Sequence, residues 1–61
     1  MTRCHVMMRR AGQDSQVLGL ARWADLFELV ASSGGAKVGC DVYEVPEADG
    51  TVTTYYAWEA S

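Results

Sequence analysis

Cys4, His5 and Cys40 are the side chains best suited to chemistry in this chain of 61 residues. Two thiols and an imidazole are zinc ligands, and a thiol beside an imidazole can act as nucleophile and base. The spacing argues against both. Cys4 and His5 are adjacent, and neighbours on a strand point to opposite faces, whereas a nucleophile and its base converge from separate elements. No Cys-x-x-Cys or His-x-x-x-His arrangement provides the ligand spacing of a zinc site. Buried thiols and a half-exposed histidine account for the three residues more simply. A disulfide between Cys4 and Cys40 requires their strands to be neighbours. A chain this short has little material for a pocket of about 300 Å³. The reading is therefore non-enzymatic, with no metal and no cofactor.

Charge is the next signal. The net charge is −3, unevenly placed. Residues 41–61 hold Asp41, Glu44, Glu47, Asp49 and Glu59 and no basic residue, giving −5, while residues 1–40 carry +2. Such a segment repels nucleic acid and is steered toward a basic protein surface. Arg9 and Arg10 beside the tyrosines would suit a sheet that stacks bases. The five acids and the lack of an aromatic-basic motif weigh against nucleic acid.

Composition bounds the rest. Apolar residues make up 49% of the chain, which argues against disorder. One domain is expected, near the lower size limit for folding alone. No apolar run approaches the roughly 20 residues of a membrane span, so no membrane association is expected. The opening MTRCHVMMRR lacks the apolar core of a signal peptide, and no lipidation motif follows. The expectation is a complete cytoplasmic protein starting at Met1, with reduced thiols.

The elements that must position these groups follow from periodicity. Thr2 to Arg10 alternates Cys4, Val6 and Met8 with His5, Met7 and Arg9, as a strand does, before the turn-forming Ala11–Ser15. Residues 16–21, QVLGLA, either open a helix capped by Asp14 or Ser15 or form a short second strand. Gly19, which costs about 1 kcal/mol inside a helix, favours the strand. Arg22 to Ser33 is helical on either reading, with Trp23, Ala24, Phe27, Val30 and Ala31 on one face and Leu26 and Leu29 widening it. Ser32-Ser33-Gly34-Gly35 ends it.

Lys37 to Glu59 reads as two strands, KVGCDVYEV and TVTTYYAWE. An Ala48-Asp49-Gly50 loop between them sets Glu47 opposite Thr51. One face then holds the pairs Cys40–Trp58, Val42–Tyr56 and Glu44–Thr54, and the other holds Asp41–Ala57, Tyr43–Tyr55 and Val45–Thr53. The predicted fold class is α+β, one helix on a small antiparallel sheet, ββαββ, or βαββ if residues 16–21 join the helix. Val38, Cys40, Val42, Tyr56 and Trp58 are expected beneath the helix.

One helix covers one side of such a sheet. Tyr43, Val45, Tyr55 and Ala57 are then left exposed, rimmed by Asp41 and Glu59, and uncovered aromatic surface usually marks a contact. Glu44 and Glu47 complete the acidic set expected to meet a partner. In size, acidity and one-helix-on-sheet layout the chain resembles the small accessory proteins of phages and mobile elements. Among them are anti-CRISPR inhibitors that occupy the DNA-binding surface of a CRISPR effector. The resemblance rests on overall character and carries over no functional residue. It implies an inhibitor or modulator that binds a larger, nucleic-acid-handling protein through a basic surface. The alternative is a structural homodimer through the open sheet face, with Tyr43 and Tyr55 across the two-fold axis and no foreign target.

Overall fold

The computed structural model describes residues 2–60. It is an α+β fold of one helix on a five-stranded sheet: β1 (Arg3–Arg9), β2 (Gln16–Arg22), α1 (Trp23–Ser32), β3 (Ala36–Gly39), β4 (Val42–Pro46) and β5 (Val52–Glu59). The strand order is β2-β1-β5-β4-β3, and every neighbouring pair is antiparallel. The helix links the two edge strands β2 and β3 and so has to cross the sheet. Among the described residues, no helix is long and apolar enough to cross a membrane.

β1 keeps its expected alternation, with Cys4, Val6 and Met8 buried and Arg3, His5 and Arg9 exposed. Residues 16–21 are strand. Their weak alternation has a structural cause: β1 and β2 slip register, Val6 facing Gly19 but Met7 facing Val17, which leaves Leu18 as the extra residue of a bulge. Gly19 takes φ 101°, a conformation open to glycine and costly for other residues.

The helix follows β2 without a break. Its first residue has no side-chain cap; instead Asp25 in the first turn receives Arg22 Nε at 3.0 Å and Nη2 at 3.2 Å. Its end is a Schellman motif: Gly34 N–H donates to Ala31 O at 3.2 Å and Gly35 N–H to Val30 O at 2.8 Å, with Gly34 at φ 72°. Leu26 and Val30 are the buried helix residues, while Phe27 and Leu29 are half exposed. The buried stripe is thus rotated from the expected one, which centred on Phe27.

The sheet has five strands, not four, and the order is ββαβββ. The stretch expected to be one strand, Lys37 to Val45, folds on itself as β3 and β4. Gly39 faces Val42 across a tight turn in which Asp41 takes φ 60°. Asp is among the few residues besides Gly that tolerate this left-handed region, so Gly39-Cys40-Asp41 is a turn signal inside an alternating run. The β4–β5 register is the expected one, Tyr43 facing Tyr55 and Val45 facing Thr53. Glu47 N–H donates to Thr51 O at 2.8 Å, closing the loop, and Gly50 takes φ 88°.

The covered face is the reverse of the expected one. Beneath α1 lie Cys4, Val6, Tyr43, Val45 and Ala57, with Ala21, Trp23 and Tyr55 packed against them. Val42, Tyr56 and Trp58 belong to the open face, and Cys40 sits in the exposed β3–β4 turn. The reason lies in β1. It pairs with β5 so that Val6 faces Ala57 and Met8 faces Tyr55, which assigns the odd residues of β5 to the same side as the buried set of β1. At the crossing that side also offers the smaller residues. Cys4 and Ala57 are fully buried there.

The helix exit is equally tight. A Cβ on Gly35 would collide with Glu44 O and stand 3.0 Å from Val45 Cγ2 and 3.1 Å from Val30 Cγ1. Gly35→Ala therefore lowers stability by about 1–3 kcal/mol, in the range of overpacking substitutions. Urea unfolding followed by tryptophan fluorescence measures it; an unchanged midpoint would contradict the close crossing.

Candidate functional site

The carboxylates expected to form one surface are all exposed but not gathered. Asp41 and Glu59 stand at one end of the β4–β5 ladder and Glu47 at the other, roughly 20 Å away at the rise of an extended strand. Glu44 projects from the open face, in the row Arg9–Thr54–Glu44. The tyrosine part of the expected site is overturned. Tyr43 and Val45 are 5% and 4% exposed under the helix, and Tyr55 is half buried beside them. The Tyr43 ring lies 6.1 Å from Phe27, which in turn stacks on Trp23 at 5.6 Å, and Lys37 Nζ sits 6.0 Å above it. These tyrosines are core.

The residues that take their place are His5, Met7, Val42, Tyr56 and Trp58. They stand in two rows across the sheet: Leu20–His5–Trp58, and Val17–Met7–Tyr56–Val42. His5 and Trp58 are 5.7 Å apart, ring centre to ring centre, and Trp58 is 40% exposed. Val17 and Leu20, on the edge strand β2, are 78% and 57% exposed. The helix packs on the opposite face, so among the described residues nothing covers this apolar surface.

Charge sorts by side. Arg22 is held by Asp25. Of the remainder, Arg3 and Arg9 stand with Glu44 on the open face, giving +1; Asp14, Glu28, Asp41, Glu47, Asp49 and Glu59 stand with Arg10 and Lys37 elsewhere, giving −4. The open side is mildly basic and aromatic, while the rest of the surface is acidic.

The thiols and the histidine do not converge. Cys4 is buried under the helix, where its Sγ–H points to Ala21 O at 3.6 Å, and burial pushes its thiol up from the ordinary value. That is the opposite of the lowered value that activates a nucleophile. His5 faces the other side, and Cys40 is free in its turn. β5 lies between β1, which carries Cys4, and the β3–β4 hairpin, whose turn carries Cys40, so the two thiols are not positioned for a bridge. Among the described residues no three His, Cys, Asp or Glu side chains cluster as a metal site. An open groove of about 330 Å³ runs beside the helix, larger than expected for so short a chain. Its lining of Phe27, Val30, Ala31 and Tyr43 with Lys37 contains no acid–base pair.

The chain matches no family model, no curated protein and no solved structure.

One carboxylate has a built environment. Asp49 Oδ1 accepts Thr51 N–H at 2.9 Å and Thr51 Oγ1–H at 2.6 Å, and these bonds lower its proton affinity. Because the folded value lies below the unfolded one, its support of the β4–β5 turn is complete above about pH 4 and is lost as pH falls through the folded value. NMR titration should place Asp49 below the ordinary carboxyl midpoint, with Thr51→Val returning it part of the way. An unmoved midpoint in Thr51→Val would contradict the side-chain bond.

Proposed function

We propose that this chain is a non-enzymatic binding protein that modulates a larger, nucleic-acid-handling protein by covering a basic surface on it. The observation that carries the reading is the separation of charge. Outside the open face the surface presents Asp14, Glu28, Asp41, Glu47, Asp49 and Glu59 against Arg10 and Lys37. A surface with a net excess of one sign of charge raises the rate of encounter with a surface of the other sign and selects among partners. Surfaces that hold phosphate backbones are basic by necessity, so an acidic protein of this size competes there for the same side chains. A role of this kind is the one filled by small phage and mobile-element accessory proteins, including anti-CRISPR inhibitors.

The contact residues differ from those expected at first. Tyr43, Val45 and Tyr55 are withdrawn from the contact surface because they pack the core. Of the expected carboxylates, Asp41, Glu47 and Glu59 remain at the two ends of the β4–β5 hairpin, Glu44 faces the open side instead, and Asp49 of the turn joins the acidic set.

Replacing Asp41 and Asp49 by asparagine and Glu47 and Glu59 by lysine should abolish salt-sensitive recovery of the target from a lysate of the source cells. All four side chains are exposed, and asparagine tolerates the left-handed turn at position 41 and can accept the Thr51 bonds at position 49, so the fold should survive. Equal recovery by the native chain and the quadruple variant would overturn the acidic-surface reading.

A further inference from the structure

We infer that the open face of the sheet is a two-fold contact with a second copy of this chain, the axis running along β5. This contact is independent of the acidic surface and of any foreign target.

The geometry of the sheet makes the face self-complementary. β5 is the central strand, with β1 on one side and β4 on the other. A two-fold axis above β5 and parallel to it lays β1 of one copy over β4 of the other and returns β5 onto itself. Residues in one row then meet residues of the same row. Arg9, Thr54 and Glu44 share a row, so Arg9 of each copy meets Glu44 of the other. In the next row, Met7 meets Val42 and Tyr56 meets Tyr56. Trp58 meets Trp58 beyond it. An axis across the strands would instead set Arg9 against the row of His5 and leave Glu44 without a cation. Charge complementarity therefore selects the axis along β5. Sheets packed with their strands aligned are a common solution, at about 10 Å separation, within reach of an arginine and a glutamate extended toward each other.

Size and composition favour the same occupant. The face measures roughly 24 Å across five strands and roughly 20 Å along them, so two apposed faces bury on the order of 1,000 Å² or more. That is the lower range of specific interfaces. The centre is Met7, Val42, Tyr56 and Trp58, and the charged residues are displaced from it, as in a contact with an apolar core and a polar rim. A 61-residue chain with one helix covers only one side of its sheet, and a second copy covers the other. A single-stranded nucleic acid is the competing occupant, since Arg3, Arg9, His5, Tyr56 and Trp58 share the face. The aliphatic side chains of Val17, Leu20, Met7 and Val42 provide no stacking surface for bases and favour a protein.

Sedimentation equilibrium of the whole chain should give twice its 6.7 kDa mass, falling on dilution. Arg9→Glu or Glu44→Arg each should weaken association by roughly 10- to 100-fold, since symmetry turns two ion pairs into two repulsions. The double variant Arg9→Glu/Glu44→Arg should restore the dimer, a rescue that general destabilisation cannot produce. A single-chain mass at every concentration would overturn the proposal, as would a double variant no tighter than the singles. An oligothymidylate at low salt that binds the single-chain species and quenches tryptophan fluorescence would assign the face to nucleic acid instead and equally overturn it.

Discussion

The pairing of β1 with β5 is the constraint from which the remaining arrangement follows. It joins strands near the two ends of the chain, Cys4 opposite Glu59 and Val6 opposite Ala57. Once Val6 and Ala57 share a side, the alternation of both strands decides which side chains lie under the helix and which do not. The crossing then rests on small residues. Ala57 and Cys4 beneath it and Gly35 at its exit allow Leu26 and Val30 to approach the sheet. The interior is correspondingly small, with Tyr43 its largest member.

Much of the local structure was legible in the chain. Strand β1, the helix, the Gly34-Gly35 terminus and the β4–β5 register all follow from periodicity and turn chemistry, because each is specified by residues close in sequence. What escaped was long-range or disguised. The sequence KVGCDVYEV alternates well enough to pass as one strand, and only the left-handed Asp41 reveals the turn within it. The exchange of faces has a different origin. Both faces of β5 carry aromatic residues, Tyr55 on one and Tyr56 with Trp58 on the other, so hydrophobicity alone does not choose between them. The choice comes from the partner strand at the far end of the chain. The arginines at the ends of β1 were the available signal: a strand that exposes Arg3, His5 and Arg9 on one side commits its neighbour's matching residues to that side as well.

The same exchange reorganises the functional reading. Tyr43, Val45 and Tyr55 leave the surface and become the packing that holds the helix, while His5, Met7, Tyr56 and Trp58 take the exposed position. The carboxylates of the hairpin remain exposed, yet they stand apart from this face, Glu44 excepted. Two surfaces of different character result. One is acidic and spread over the turns and the helix; the other is apolar and aromatic and confined to the open sheet. A protein that pairs through the second presents the first twice, and two weak electrostatic contacts held together reinforce one another.

Which face of the sheet lies under the helix decides both the core and the exposed surface, and through-space NMR contacts distinguish the two faces. The methyl groups of Leu26 and Val30 should show nuclear Overhauser contacts to the ring of Tyr43 and the methyls of Val45 and Ala57. Contacts from those helix methyls to the rings of Tyr56 and Trp58 would mean that the sheet presents its other side to the helix, and would contradict the account.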